Sequence, residues 1–502
     1  MLNIPSIESI LEKHGPLPAS DIQKYLTIAG LSGAAARQRI SRSRQKVKRL
    51  YGLPLPKNES FLHLEEQYAN SDFWIALLKA HISRRSSYGI ALLSIIARDG
   101  VIPLSHIKTV TGAPDRMKKH ISCSTVIQRL IKAEFLRKGY DLDFGDYVAI
   151  HARDNLMNFD LRAMRSRLQV EAITINAVRE WARKLGLVSY NAVKIRDNHN
   201  MPVYGQFGWD ITGPSYILPL ASYYRTKAIP GFFVADIVYT ELNHENVLYF
   251  INKCLMTRCV KTMKPFLAML IAERFTKEAF QLGKQNGVIF TTPKDLFGDE
   301  VAAELSSLAA TLKNAAATAV KNPESVNKLL SSLSRIEGAA LNLRGALFEL
   351  VVGHLVFKGE GNLIDIGLTV HNDKGITAEI DVRRIKGDHE IAIYECKGKQ
   401  PTGIVTYAEV DKWLSQKIPI INESLQSEER FKKYSVTHEF WTSGNFEPKA
   451  KMRLQEAKKI TKKYAIDWKN GQDILSYARD KKLTSMVDFI TQHYARHPLS
   501  DK

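Results

Sequence analysis

Apolar and polar positions alternate with a period of two over three late stretches: NLIDIGLTV (362–370), ITAEIDVRRI (376–385) and HEIAIYECK (389–397). That alternation predicts three successive strands. A helical pattern, ALNLRGALFELVVGHLVF, precedes them. After them come a helix near TYAEVDKWLSQ, a strand (SVTHEFWTSG), a helix (PKAKMRLQEAKKI), a short strand (YAIDW) and closing helices. The stretch from about 156 to 315 has the same order. A long helix (LRAMRSRLQVEAITINAVREWARKLG) leads to strand-like FGWDITGPSYILPL and GFFVADIVYT. Then follow a helix (HENVLYFINKCL), a strand (KPFLAMLIA), a helix (FTKEAFQLGKQNG) and a strand (VIFTTP). Both halves read helix, three strands, helix, strand, helix, strand, with no close repeat of sequence. Residues 316–340, rich in Ala, Ser and Leu and broken by Pro323, read as helices linking the two.

The first third is patterned as short helices. IPSIESILEKHG, ASDIQKYL and GAAARQRISRSRQKVKRL suit a helix-turn-helix. The third of these carries Arg37, Arg39, Arg42, Arg44, Lys46, Lys48 and Arg49, leaving Ile40, Val47 and Leu50 for a core. A basic third helix after two short ones resembles a winged helix-turn-helix domain, in which that helix usually enters the major groove. SYGIALLSIIARDG, PLSHIKTVTG and SCSTVIQRLIKAEFLRKG repeat the plan, with DYVAIHA as a wing strand. Ser124, Gln128 and Arg129 are its candidate base- or phosphate-facing residues, and Val126, Leu130 and Ile131 its core.

Composition sharpens this picture. The 502 residues carry a formal charge of +19, an excess that points to a polyanion. Four scattered cysteines form no C-x-x-C pair, which fits reduced thiols in a cytoplasmic protein. Neither a secretory leader nor an apolar run of about 20 residues is present, so no membrane partner is expected. Without a G-x-x-x-x-G-K-[ST] loop, no nucleotide cofactor is expected either.

A three-residue turn at Gly387-Asp388-His389 would pair Lys386 with Glu390 and set Asp381 opposite Glu395. Lys397 then shares their face, while Ile380, Val382, Ala392, Tyr394 and Cys396 form the opposite, core face. Two facing carboxylates repel unless a cation lies between them, and hard oxygen ligands suit Mg²⁺. Asp381 with Glu395-Cys396-Lys397 resembles the D…(D/E)-x-K motif of PD-(D/E)xK nucleases, the restriction-endonuclease-like fold. RGALFE is similar to a helix motif in branches of that family and would supply Glu349 as an additional acid. The resemblance covers roughly 338–490. It implies metal binding by Asp381, Glu395, the carbonyl of Cys396 and Glu349, with Lys397 assisting hydrolysis. Mg²⁺ is the implied cofactor, with Mn²⁺ as its substitute. No Pro precedes Asp381, a departure the family often shows. In the middle half Asp210 and Asp236 fall on candidate strands, but ADIVYTE has no Glu-x-Lys, so a degenerate nuclease-like domain is expected there.

The expected fold class is multidomain α and α/β. Winged-helix-like domains span 1–72 and 73–155, and a nuclease-like α/β domain lacking the motif spans 156–315. A helical linker covers 316–340, and a PD-(D/E)xK domain covers 341–502. The expected function is metal-dependent cleavage of double-stranded DNA, in restriction or anti-phage defence, by a homodimer or a defence-complex subunit. The rival class is a non-catalytic DNA-binding regulator or complex subunit with a vestigial nuclease fold; a third expectation is an RNA-directed nuclease.

Overall fold

The structure, a computed structural model, describes residues 4–43, 46–68, 70–151, 159–197, 200–218, 220–224, 227–313, 340–360, 363–400 and 402–495. The chain is a mixed α/β, multidomain protein. The expected helical linker falls almost entirely outside the described residues, as does Arg44.

The N-terminal unit runs α1 (Ile7–His14), β1 (Leu17–Pro18), α2 (Ala19–Ile28), α3 (Gly33–Arg42), β2 (Val47–Arg49) and β3 (Phe61–Leu64). Its three strands pair antiparallel in the order β1-β3-β2. The expected basic third helix is shorter than the sequence suggested. It ends at Arg42, and Val47, Lys48 and Arg49 form a strand instead, Val47 pairing with Leu64. A β-branched residue that can bury itself on a strand outweighs the helix preference of its basic neighbours.

A connecting helix, α4 (Ser71–Ser83), leads to a second unit: α5 (Ser87–Ile96), β4 (Val101–Pro103), α6 (Ile107–Val110), α7 (Cys123–Lys132), β5 (Leu136–Asp141) and β6 (Gly145–Ile150). Here too the third helix stops early, at Lys132, and Leu136–Asp141 pairs with β6 as a strand. Val126 and Leu130 are buried and Ile131 packs against their cluster.

The middle unit opens with α8 (Leu161–Lys184). Next come β7 (Lys194–Ile195), a small hairpin of β8 (Val203–Tyr204) and β9 (Phe207–Gly208), and β10 (Ile211–Ser215). A second hairpin, β11 (Ser222–Tyr224) with β12 (Lys227–Ile229), precedes β13 (Gly231–Leu242). It closes with α9 (Leu248–Arg258), β14 (Phe266–Phe275), α10 (Lys277–Gln285), β15 (Ile289–Thr291), α11 (Pro293–Phe297) and α12 (Asp299–Lys313). The sheet order is β15-β14-β13-β10-β7; β7, β10 and β13 pair antiparallel, and β14 and β15 add in parallel.

The C-terminal unit has the same arrangement. It runs α13 (Ala340–Glu360), β16 (Leu363–His371), β17 (Ile376–Lys386), β18 (Glu390–Lys397), β19 (Ile404–Val405) and α14 (Tyr407–Lys412). A π turn (Trp413–Lys417) carries α14 into α15 (Ile418–Ser427). Then come β20 (Ser435–Thr442), β21 (Asn445–Phe446), α16 (Pro448–Ile460), β22 (Ala465–Lys469), α17 (Gly471–Asp480) and α18 (Thr484–Ile490). Strands β16, β17 and β18 are antiparallel; β20 and β22 follow in parallel. The long first helices of the two halves pack together, Val170 and Ile173 of α8 sharing a core with Leu347, Val351 and Leu355 of α13.

One connection had no signal in the sequence. Strand β5 of the second unit joins β17 in parallel, Tyr140 against Ile376 and Asp141 against Thr377, so one sheet runs through both units. Among the described residues no helix is long and apolar enough to cross a membrane.

Candidate active site

The hairpin has the register its turn requires. Lys386 pairs with Glu390 and Val382 with Tyr394, and Gly387 takes the positive φ (56°) that the three-residue turn needs. Continued outward, this ladder brings Asp381 across from Glu395, and the Cys396 N–H donates to Asp381 Oδ2 at 2.7 Å. Both acids are buried.

Ile380, Val382, Ala392, Tyr394 and Cys396 are all buried as well, but they do not share one face. Val382, Ala392, Tyr394 and Cys396 join the core around α13, whereas Ile380 joins a second core with Ile391 and Ile393. Opposite Asp381 the β16 ladder is interrupted at Gly367, whose φ of 66° lies in the left-handed region. The sheet is covered on both sides, so alternation here separates two cores rather than core from solvent.

Two lysines meet the acid pair. Lys397 Nζ lies 2.7 Å from Glu395 Oε1, with about a third of its side chain exposed (34%). Lys417, almost wholly buried, spans the pair, 3.0 Å from Asp381 Oδ1 and 2.5 Å from Glu395 Oε2. Sequence reasoning missed Lys417. Its signal was an apolar stripe on a helix, Val410, Trp413, Leu414, Ile418 and Ile421, with one lysine in register at 417. The π turn at 413–417 ends on that lysine; such turns recur at functional sites.

Further acids surround this centre. Glu379, two residues before Asp381, pairs with Arg165 of α8 at 3.3 Å. Arg165 also holds the fully buried Asp141 of β5 and donates to Thr369 Oγ1 at 2.8 Å. The turn after β5 thus lies against the acid pair: Leu142 N–H donates to Thr377 O at 3.1 Å, and Lys412 donates to the Leu142 carbonyl at 2.5 Å. Asp143, exposed on that turn, has its carboxyl held below the usual range, since Lys417 and Lys397 outweigh its desolvation.

The proton affinities diverge across the cluster. Burial and the repulsion of Glu395 raise Asp381. Burial also opposes the charge on Glu395, but Lys397 and Lys417 outweigh it and hold that carboxyl low. Glu349 is pushed well above the carboxylate range by burial, then by Asp381 and Glu379. Burial, against the pull of Arg165 and aided by Asp381 and Asp143, pushes Glu379 up to about 7. Crowded acids with raised proton affinity mark a site short of positive charge. The Cys396 thiol is raised by burial and is no nucleophile.

Of the sequence-predicted residues, the structure therefore brings together Asp381, Glu395, Cys396 and Lys397, with Glu349 near enough to feel their charge. Among the described residues no three His, Cys, Asp or Glu groups converge closely enough to hold a metal ion. In the N-terminal unit Arg37 and Arg42 are exposed and Arg39 is half-buried. Ser124 and Gln128 are exposed on α7, whereas Arg129 donates to Tyr88 Oη at 2.7 Å.

No family model matches this chain, and no curated protein does. Among solved structures, restriction endonuclease FokI is similar at 10% identity, over 92% of this chain and 83% of that one, with a TM-score of 0.22. The same enzyme bound to DNA is similar at 12% identity, over 58% of each chain, with a TM-score of 0.15.

Proposed function

We propose that this chain is a metal-dependent DNA endonuclease, with Asp381, Glu395 and Lys397 as its hydrolytic centre. The observation that carries this is the hairpin geometry: Asp381 faces Glu395, a backbone N–H fixes one carboxylate, and the partly exposed Lys397 pairs with Glu395. The helix, three antiparallel strands, helix, parallel strand order around it is the one the PD-(D/E)xK resemblance implies. The order α, β, α, α, β, β in the first two units is that of a winged helix. These units would place duplex DNA, through Arg37, Arg39 and Arg42 on one and Ser124 and Gln128 on the other.

The donor set fits a small divalent cation. A single ammonium, Lys417 Nζ, touches oxygens of both carboxylates, so the pair is spaced for one compact positive charge. Asp381 and Glu395 would hold Mg²⁺ or Mn²⁺, with the Cys396 carbonyl as a further oxygen donor; Glu349 would join them only by moving closer than it stands here. The metal's chemistry there is Lewis-acid activation of water and neutralisation of phosphate charge. Lys397 would orient the attacking water and steady charge on the phosphoryl oxygens, and Lys417 would keep both carboxylates ionised between turnovers. Double-strand cutting would need a homodimer, since the motif occurs once per chain. A restriction or anti-phage role belongs to the same proposal, by analogy of fold.

The position of Lys417 also favours the rival, a DNA-binding regulator whose cation site is filled by its own lysine. Cleavage decides between them. Purified chain with Mg²⁺ or Mn²⁺ is expected to nick or cut plasmid or linear duplex. Glu395→Gln should abolish this, and Lys397→Met should lower it by about 10²–10³-fold, with duplex binding unchanged. Tight binding with no cleavage of plain, modified or branched DNA, or of RNA, would leave the regulator.

A further inference from the structure

The middle unit repeats more than the order of elements. Its strands β10 and β13 pair Ile211 with Ala235, which sets Asp210 across from Asp236. The Ile237 N–H donates to Asp210 Oδ2 at 2.7 Å, as the Cys396 N–H donates to Asp381 Oδ2 at 2.7 Å. Lys253, on the helix after β13, reaches Asp236 Oδ2 at 2.6 Å; Lys417, on the helix after β18, reaches Glu395 Oε2 at 2.5 Å. Glu171 lies midway along α8, as Glu349 does along α13. An acid pair, the N–H that fixes it, a lysine from the next helix and a glutamate from the first helix thus recur together.

Two differences separate the sites. Val238 stands two residues after Asp236, where the other hairpin has Lys397 two residues after Glu395. The middle site also contains guanidinium groups of its own. Arg196 Nε is 2.7 Å from Asp210 Oδ1 and its Nη2 is 3.0 Å from Glu171 Oε2, while Arg167 Nη1 is 2.8 Å from Glu171 Oε1. Arg167, Arg196 and Lys253 thus face Glu171, Asp210 and Asp236, with Arg167 also holding Asp99 at 2.9 Å, and burial still pushes Asp236 up to about 6. The Asp381 site sets Glu349, Glu379, Asp381 and Glu395 against Arg165, Lys397 and Lys417, with Asp141 and Asp143 beside them. The second unit roofs the middle site: Lys253 Nζ also donates to Thr109 O at 3.3 Å, and Arg196 packs 3.2 Å from the His106 ring nitrogens.

We infer that the middle unit carries a second copy of the acid-pair site, built for a divalent cation, in which Arg196 and Lys253 of the chain itself now fill the cation's place. Its hydrolytic counterpart is the Asp381 site, so this inference rests on the nuclease proposal for function but not for geometry. Removing the guanidinium should reopen a divalent-cation site at Asp210 and Asp236.

The test is Mn²⁺ binding to the full chain, by titration calorimetry or electron paramagnetic resonance. Wild type should show Mn²⁺ sites that Glu395→Gln removes. Arg196→Met added to Glu395→Gln should restore one Mn²⁺ per chain, and Asp236→Asn should abolish that gain. Lys253→Met is the second variant if Arg196→Met fails to fold, and Mn²⁺ should rescue the folding of either. Mn²⁺ retained by Glu395→Gln and lost only with Asp236→Asn would overturn the inference, because the middle site would then be live. A folded Arg196→Met or Lys253→Met chain that gains no Mn²⁺ would overturn it too, as would failure of both to fold with Mn²⁺ present. If wild type cleaves nothing, the nuclease proposal falls, while the Mn²⁺ gain still tests the repeat.

Discussion

Replacing Lys417 by Met removes a charge while keeping most of the stem that packs beside Trp413 and Leu414. In the folded chain its side chain is 5% exposed and its ammonium touches two buried carboxylates, at 3.0 and 2.5 Å. At an effective dielectric of about 20, each contact is worth on the order of 5 kcal/mol before desolvation is counted. Most of that gain is offset by burying the charges. Deleting one partner nevertheless leaves the acids uncompensated, which typically costs about 3–5 kcal/mol. For a unit of roughly 150–250 residues, 1 kcal/mol moves Tm by about 2–4 °C. The C-terminal unit of Lys417→Met should therefore melt roughly 10 °C early in EDTA, followed by fluorescence of the buried Trp413 and Trp441. Excess Mg²⁺ should restore much of the loss, since a divalent cation can take the ammonium's place. Glu395→Gln combined with Lys417→Met should be less destabilised than the sum of the singles. A Lys417→Met chain melting within about 2 °C of wild type in EDTA would refute the buried bridge; an unaltered melt on adding Mg²⁺ would refute the cation-sized spacing.

Three further outcomes test the elements around the site. Arg165→Met strips Asp141 and Glu379 of their shared cation. It should cost about 3–5 kcal/mol and raise amide exchange at 136–145 and 376–381; unchanged exchange there would show that the β5 junction is held otherwise. His81, buried between α4 and α5 with Nδ1 2.8 Å from Ser86 Oγ, is pushed down by burial to about 4. The unfolded chain takes up this proton near 6.5 and the folded chain only near 4, so stability falls as pH drops through that window, by about 2 kcal/mol at pH 5. His81→Gln should flatten the slope of Tm between pH 7 and 5, and an equal slope would exclude His81 as its source. Gly89→Ala would ordinarily gain about 1 kcal/mol of helix propensity. Here the added Cβ would come 2.7 Å from the His81 backbone, an overpacking that costs about 1–3 kcal/mol, so chemical denaturation should show a net loss.

Most elements were legible because their signals are local. The hairpin register follows from a three-residue turn between alternating strands, and the two matching halves follow from period and order alone. Each error and omission had a non-local cause. The strands at Val47–Arg49 and Leu136–Asp141 follow basic helices without a break, and what makes them strands is a partner later in the chain. The β5–β17 junction joins residues 236 apart, and strand addition at an edge leaves no trace in either segment. Lys417 lies 36 residues from Asp381 on a helix that reads as amphipathic. Taken alone, a lysine on such a helix is far more often a solvated side chain than a buried bridge. Asp210 and Asp236 were visible on candidate strands; that they are buried face to face depends on Arg196, which lies just beyond a two-residue strand.

The contrast between the two halves locates where reactivity would arise on this backbone plan. Backbone geometry is nearly the same at the two acid pairs, down to the N–H that fixes the first carboxylate. What differs is the supply of charge. In the middle half, Arg196 comes from the first strand's end and pairs with two acids at once, under the second unit. Among the described residues of the C-terminal half no guanidinium occupies the corresponding position. Arg165 is drawn away to Asp141, and the lysine two residues beyond Glu395 stays partly exposed. A fold that neutralises its acids internally becomes a packing element. A fold that leaves them short of positive charge would keep a place for an external cation, which is what the proposed nuclease site requires.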